Sequence, residues 1–358
     1  MNFVESKNRL FILIFSLIPA LLLISLSGCS DKILPPNTEN QNNASAFLYA
    51  SQDENSDVWT YYSSLVDGTV QVDFGEKVAR APSGNGRGLM LGSDNFLYLV
   101  DLKTGTILLG GISLSSGYDD FESFSPAISP DGNRIAWSEV NQAEERRRTV
   151  LMDATGGNRV TLLIGAAHET YIRFSPNGEY IAFFYEDYAT SEAGLYRVNS
   201  DGSNVTLLTT VSNAPNDGGG VLDWSPDGSK IVFSQEEDAE NFGLYVINSD
   251  GTGLQRIGSG IVPDWSPDGS KILFTFPYPS LKMGVMNPDG SGIEVLTPVT
   301  KGVLGRWSAD GKQILYAEYD ITADPENDPA RITIMNYATK STSLISSRGS
   351  YAGLFWVE

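Results

Sequence analysis

The side chains that could do chemistry in this chain are one thiol, one imidazole and a large surplus of carboxylates. Its 358 residues include a single cysteine, Cys29, a single histidine, His168, and 44 aspartates and glutamates against 24 lysines and arginines. One histidine cannot build a multi-histidine metal site, and His168 reads as an ordinary loop residue. Two carboxylates could serve as the acid and nucleophile of a glycoside hydrolysis, with Trp or Tyr stacking on the sugar, but sequence spacing picks out no pair. No segment has the spacing of a calcium loop. The residues therefore assign no catalytic group, no metal site and no cofactor, and the chain is read as a non-enzyme.

Cys29 has a more definite setting. A basic stretch holding Lys7 and Arg9 leads into an apolar run from Leu10 to Leu26, followed by Leu26-Ser27-Gly28-Cys29. That order of charge, apolar run, small residues and cysteine resembles the signal peptide and lipobox of bacterial lipoproteins. The resemblance implies removal of residues 1–28 and lipidation of the Cys29 thiol, with acyl chains such as palmitate holding the protein to a membrane. Ser30 after the cysteine points to the outer membrane, with the body facing the periplasm or the cell surface.

Residues 29–45 are rich in Asn, Gln, Pro, Ser and Thr, a composition that cannot bury enough apolar surface to fold, and read as a tether. Loss of residues 1–28 moves the formal charge from -20 to -21. Such acidity disfavours nucleic acid and anionic lipid surfaces. With its one thiol lipidated the body has no disulfide, so packing in a single large domain over residues 46–358 must stabilise it.

The organisation of that domain is written in a repeat. Ser129-Pro130-Asp131-Gly132, Ser175-Pro176-Asn177-Gly178, Ser225-Pro226-Asp227-Gly228, Ser266-Pro267-Asp268-Gly269 and Ser308-Ala309-Asp310-Gly311 follow one another at spacings of 46, 50, 41 and 42 residues. Proline presets φ for the turn, Asp or Asn bonds the neighbouring backbone, and glycine accepts positive φ. Each unit reads as four strands, as in Leu222-Asp223-Trp224, Lys230 to Phe233, Leu244 to Ile247 and Leu254 to Ile257. A second turn, Asn248-Ser249-Asp250-Gly251, recurs at Asn199 and Asn287. The paired turns resemble the repeat of the TolB propeller, a WD40-like repeat, and the propellers attached to prolyl oligopeptidase-like enzymes. The resemblance implies an all-β propeller and a protein-docking role at the cell envelope.

Residues 46–73 supply second, third and fourth strands without a first, and Gly353-Leu354-Phe355-Trp356-Val357 resembles a first strand with nothing after it. Pairing the C-terminal strand with the N-terminal three closes the ring and removes open edges. Counting second strands gives seven blades, against six in the TolB propeller. Trp137, Trp224, Trp265 and Trp307 are read as packing residues at equivalent strand positions.

Long loops should gather on the face opposite the short turns. They carry Asp119, Asp120, Glu186, Asp187, Glu236, Glu237, Asp238, Glu240, Asp320, Asp324, Glu326 and Asp328, beside a basic cluster at Arg146, Arg147 and Arg148. Loops on a rigid scaffold are where binding concentrates, although charge runs also serve only to solubilise. The expected partner is an envelope protein with a basic segment; a divalent cation or a sugar is the other candidate ligand. The alternative to a protein platform is a carbohydrate-binding protein, or a polysaccharide hydrolase or lyase, using the central channel. Two features count against enzymatic relatives: lyases of the oligogalacturonate type depend on several histidines, and no Gly-x-Ser-x-Gly elbow with a downstream histidine is present.

Overall fold

A computed structural model describes residues 46–52, 59–65, 70–74, 78–80, 86–91, 96–113, 120–121, 126–141, 146–165, 171–187, 192–212, 222–238, 241–277, 280–297, 302–319 and 330–357. The signal segment, Cys29 and the tether lie outside them.

Alternating β-branched and aromatic residues between turn motifs favour strands, and the described residues form antiparallel sheets arranged in a ring. Blade 1 holds Val78–Arg80, Arg87–Leu91, Leu97–Asp101 and Ile107–Ile112. Blade 2 holds Asp120–Phe121 and Ala127–Ile128 on one strand of the ladder, then Arg134–Asn141, Arg146–Asp153 and Val160–Gly165. Blade 3 runs from Arg173–Phe174 to Thr206–Val211, blade 4 from Leu222–Trp224 to Gln255–Ser259, and blade 5 from Ile261–Trp265 to Glu294–Val295.

The last sheet has seven strands and closes the ring. Gly302–Trp307, Gln313–Tyr319 and Ala330–Asn336 lead to the sixteen-residue strand Thr342–Val357, whose first part pairs with the strand before it. Its last part pairs with Ala46–Gln52, matching Phe47 to Trp356 and Leu48 to Phe355, and Trp59–Leu65 and Val70–Asp73 complete the sheet. Counted as hydrogen-bonded sheets the propeller has six; counted as four-stranded units it has seven, because one strand is the outer strand of blade 6 and the inner strand of blade 7. The pairing of the two chain ends expected from the sequence is present.

The core lies between blades. Phe184 of blade 3 meets Phe233 of blade 4 edge to face with ring centres 6.1 Å apart, amid buried Leu195, Leu222, Trp224 and Ile247. Trp224, Trp265, Trp307 and Trp356 occupy equivalent inner-strand positions and are buried. Trp137 does not belong with them: it stands on the second strand of blade 2, and its indole N–H donates to Glu139 over 3.1 Å.

In the turns after the inner strands of blades 2 to 6, a hydroxyl and a carboxylate, or the amide of Asn177, replace missing ladder partners. The Ser225 hydroxyl donates to Asp227 over 2.7 Å and accepts from the Lys230 N–H over 2.9 Å, while Gly228 N–H donates to the Ser225 carbonyl at a φ of 70°. The Ser225 hydroxyl, with the Ser229 backbone and side chain, holds the Asp227 carboxyl below its usual range. The turns at Asp131, Gly132, Asn177, Gly178, Asp268, Gly269, Asp310 and Gly311 repeat this arrangement.

Turns of one blade press on the next. A Cβ on Gly290, at φ 86°, would sit 2.1 Å from the Ile257 carbonyl oxygen, whereas one on Gly111, at φ 67°, would meet nothing within 4 Å. Gly111→Ala is expected to cost only the left-handed backbone penalty of roughly 1–2 kcal/mol, and Gly290→Ala substantially more, as measured by denaturant unfolding. Equal losses would show that the blades do not meet at this turn.

Candidate binding cup and channel

The second and third strands of blades 3 and 4 run on past the described part of their inner strands. In blade 4 the inner strand pairs only as far as Phe233, yet the second strand runs on to Asp238, opposite Asn241. Five further residues raise that hairpin roughly 17 Å at about 3.4 Å per residue. Blade 3 does the same from Ala182 to Asp187, opposite Glu192, while in blade 2 the hairpin rises to Asn141, opposite Arg146, accompanied by Asp120–Phe121, which pairs with Val140 and Glu139. In blade 5, Thr275 is already paired by Ile261 and its second strand ends there. The channel mouth therefore has a high wall over blades 2 to 4 and a low one at blade 5.

These ladders shorten the loops expected from the sequence. Glu186, Asp187, Glu236, Glu237 and Asp238 stand on strands, as do Arg146, Arg147 and Arg148. Backbone pairing persists after the apolar alternation stops, so the strand ends were not legible as such. Asp120 is also on a strand, while Asp119, His168, Glu240, Asp320, Asp324, Glu326 and Asp328 lie outside the described residues.

The acids described on the wall are not equivalent. Glu237 accepts from Arg256 at 2.6 and 2.8 Å and from the Tyr245 hydroxyl at 2.6 Å, so its charge is matched. Asp238 takes both oxygens to the Asn241 amide at 2.7 and 2.8 Å. Glu236 is half-buried, and burial, then the neighbouring Asp238 charge, pushes its carboxyl up. Arg148 of the basic cluster turns inward to Glu139, fully buried, at 2.9 Å, where Arg159 also binds. Arg159 in turn covers the face of Trp137, 5.0 Å from its centre. Glu139 was not singled out by its type because nothing in the sequence marks it as buried.

An apolar cluster lies at the mouth. Ile261, Val262 and Leu281 are buried together, with Tyr171, Phe242 and Leu304 packed on them from blades 3, 4 and 6. Val262 and Leu281 both hold positive φ, 52° and 45°. A β-branched residue there is strained, and the neighbouring register shift between Ile261 and Asp264 accompanies that strain.

Next along the inner strands lies a belt of charge. Arg173, Asp223, Asp264 and Arg306 occupy the same position in four consecutive blades, each immediately before the aromatic residue that precedes the turn. Arg306 and Asp264, 3.7 Å apart, keep 23% and 16% of their side-chain surface, which sets them at a solvent-reaching channel wall rather than in the interblade core. Asp223 accepts from the Trp265 backbone N–H and Asp264 from the Trp307 N–H, both at 2.7 Å, so each carboxylate stitches its blade to the next. Where the belt residue is arginine, the tryptophan indole makes the link instead: Trp224 donates to the Arg173 carbonyl at 3.2 Å and Trp356 to the Arg306 carbonyl at 3.0 Å. The indole N–H groups of Trp265 and Trp307 find no acceptor among the described residues.

The belt's members act on one another. Burial, then the Asp264 charge, pushes the Asp223 carboxyl up to about 7, against the pull of the Trp265 N–H, Arg306 and Arg173. Burial likewise raises Asp264. Burial, then the like charge of Arg306, holds Arg173 below the usual guanidinium value. The signal for this belt was present in Arg173-Phe174, Asp223-Trp224, Asp264-Trp265 and Arg306-Trp307: charge inside otherwise apolar strands. Sequence reasoning passed over it in favour of the loop acids. Among the described residues no three His, Cys, Asp or Glu side chains come together as a metal site, and no helix is long and apolar enough to cross a membrane.

The raised Asp223 pKa has a definite sign. The folded chain binds this proton more tightly than the unfolded chain, whose carboxyl titrates near 3.8, so the contribution is full below 3.8 and is lost as pH rises through about 7. Denaturation of the native protein and of Asp223→Asn at pH 5 and pH 8 should show the native protein losing more stability over that interval than the variant. The same pH dependence in both would contradict a raised carboxyl at 223.

No family model matches the chain, and no curated protein matches it. Solved structures do. TolB from Acinetobacter baumannii is 16% identical, with 87% of this chain and 82% of that one covered and a TM-score of 0.51. An oligogalacturonate lyase in complex with manganese is 16% identical over 72% of this chain and 79% of that one, with a TM-score of 0.55. A puromycin hydrolase is 11% identical, covers 87% of this chain and 54% of that one, and has a TM-score of 0.62. Two of these are enzymes by their descriptions, and at these identities the likeness shows the fold: this chain is a β-propeller of the kind shared by TolB and by propeller-bearing enzymes.

Proposed function

We propose that this protein is a non-enzymatic binding platform of the bacterial cell envelope, tethered to the outer membrane through lipid on Cys29, that captures a protein partner in the cup at its channel mouth. The observation that carries the reading is the strained, apolar floor. Val262, buried and held at a φ of 52°, is a costly backbone choice in an inner strand, and it places an apolar cluster at the foot of a wall of hairpins.

An apolar centre with a polar rim is the anatomy of a protein interface. The half-buried Tyr171 and Phe242 are its aromatic anchors, since truncating large aromatic groups at an interface centre costs the most. Glu186, Asp187 and Glu236 on the hairpins, with Asp119, Asp120, Glu240, Asp320, Asp324, Glu326 and Asp328 as further candidates, would attract a basic partner segment. Their part is in the rate and specificity of encounter more than in affinity. The sixteen residues between Cys29 and the folded body, Ser30 to Ser45, at most about 50 Å when extended, would keep the cup near the membrane without pressing it on lipid.

The test is crosslinking and co-purification of the lipidated protein from its own membranes. The native chain should capture a defined partner, Tyr171→Ala with Phe242→Ala should lose it, and Asp289→Asn, in an exposed turn outside the cup, should retain it. Retention by the floor variant, or loss from the turn variant alone, would move the interface away from the cup.

A further inference from the structure

The belt in the channel has more to offer than blade stitching. We propose that Arg173, Asp223, Asp264 and Arg306 form a binding site for a neutral saccharide, a ligand distinct from the protein partner captured at the rim.

Three observations converge on that chemistry. First, above the pH of about 7 to which Asp223 is raised, both carboxyl groups are ionised and these four inner strands carry two guanidinium groups against two carboxylates. An added ammonium would then leave the two arginines facing a further cation, and an added carboxylate would stand against the two aspartates. A neutral ligand changes neither balance, and desolvating an unmatched charge is expensive.

Second, the belt retains hydrogen-bonding capacity of both kinds. Among the described residues Arg173 makes one side-chain hydrogen bond, from Nη1 to the Ile172 carbonyl at 2.9 Å, out of the five N–H groups of a guanidinium. Asp223 spends Oδ2 on the Trp265 N–H, leaving Oδ1 without a protein donor among the described residues. Asp264 spends Oδ2 on the Trp307 N–H, and its Oδ1 lies 3.7 Å from Arg306 Nη1, an ion pair too long to be a hydrogen bond. Vicinal hydroxyls donate to carboxylates and accept from guanidinium groups at once, so a sugar ring can satisfy both sets. The Oδ2 bonds also hold the carboxylates in place before any ligand arrives, which lowers the ordering cost of binding.

Third, the belt has an aromatic neighbour. Tyr171 lies two residues before Arg173, just outside the strand Arg173–Phe174, within electrostatic reach of its guanidinium and half-buried against the floor. An apolar ring face next to planar polar groups matches the two surfaces of a pyranose.

The experiment is titration calorimetry of the full chain at pH 8, where the Asp223 carboxyl is ionised, in a non-glycosidic detergent with maltotetraose, cellotetraose and chitotetraose. Lysine and glucuronate serve as charged comparators. At least one tetrasaccharide should bind, Asp223→Asn should weaken it roughly tenfold or more as a charge-assisted hydrogen bond is lost, and Asp289→Asn should leave it unchanged. Asparagine at 223 keeps an oxygen for the Trp265 N–H; if that variant does not fold, Tyr171→Ala, read by the same titration and by its melting temperature, takes its place with the same expected weakening. Binding of none of the three tetrasaccharides, undiminished binding by a folded variant, or binding of the charged comparators alone would overturn the proposal.

Discussion

A single strand, Thr342–Val357, is the constraint on which the rest of this structure depends. Its sixteen residues end one four-stranded unit and begin another, and its last residues pair with Ala46–Gln52 from the opposite end of the folded body. A propeller opened at that point would expose two strand edges and split blade 7, parting its strands Ala46–Gln52, Trp59–Leu65 and Val70–Asp73 from the strand that leads out of blade 6. Because the belt stands on the inner strands and the floor gathers side chains from blades 3 to 6, both have their geometry only when the ring is shut. The closing contact is also apolar: Phe47 and Trp356 are buried, edge to face, with ring centres 6.0 Å apart.

Within the closed ring, neighbouring blades are joined by two interchangeable devices at one sequence position. An aspartate before the inner-strand tryptophan reaches forward to the next blade's backbone N–H, and an arginine there leaves its carbonyl to the next tryptophan's indole. Either device satisfies one polar group across an otherwise apolar seam. The aspartates carry an extra cost, because burial and their mutual repulsion oppose ionisation. That cost fits the recognition role proposed for the belt, where Asp223 Oδ1 has no protein donor among the described residues.

Much of the architecture was legible in the sequence. Ser-Pro-Asp-Gly turns at near-constant spacing fix the blades because proline, a carboxylate and a positive-φ glycine leave the chain little choice, as Ser225 to Gly228 show. The unpaired N-terminal strands and the lone C-terminal strand predicted their own pairing. The inner strand Val78–Arg80 was missed because no turn motif follows it. The site was legible in its residue types but not in its place. Acidic residues near predicted loops drew attention to the rim, where Glu237 is already paired to Arg256 and Arg148 to buried Glu139. The floor could not be read, since neither the positive φ of Val262 and Leu281 nor contacts between blades three and six leave a trace in local pattern.

Hydrogen exchange of the native protein, followed at single-amide resolution, tests the closed ring most directly. The account predicts that amides in the paired segments of Ala46–Gln52 and Gly349–Val357 are protected, and exchange in step with those of Lys230–Ser234 in blade 4, because opening the seam would require opening the ring. Exchange of the two terminal strands at the rate of an unstructured peptide, with blade 4 still protected, would contradict it.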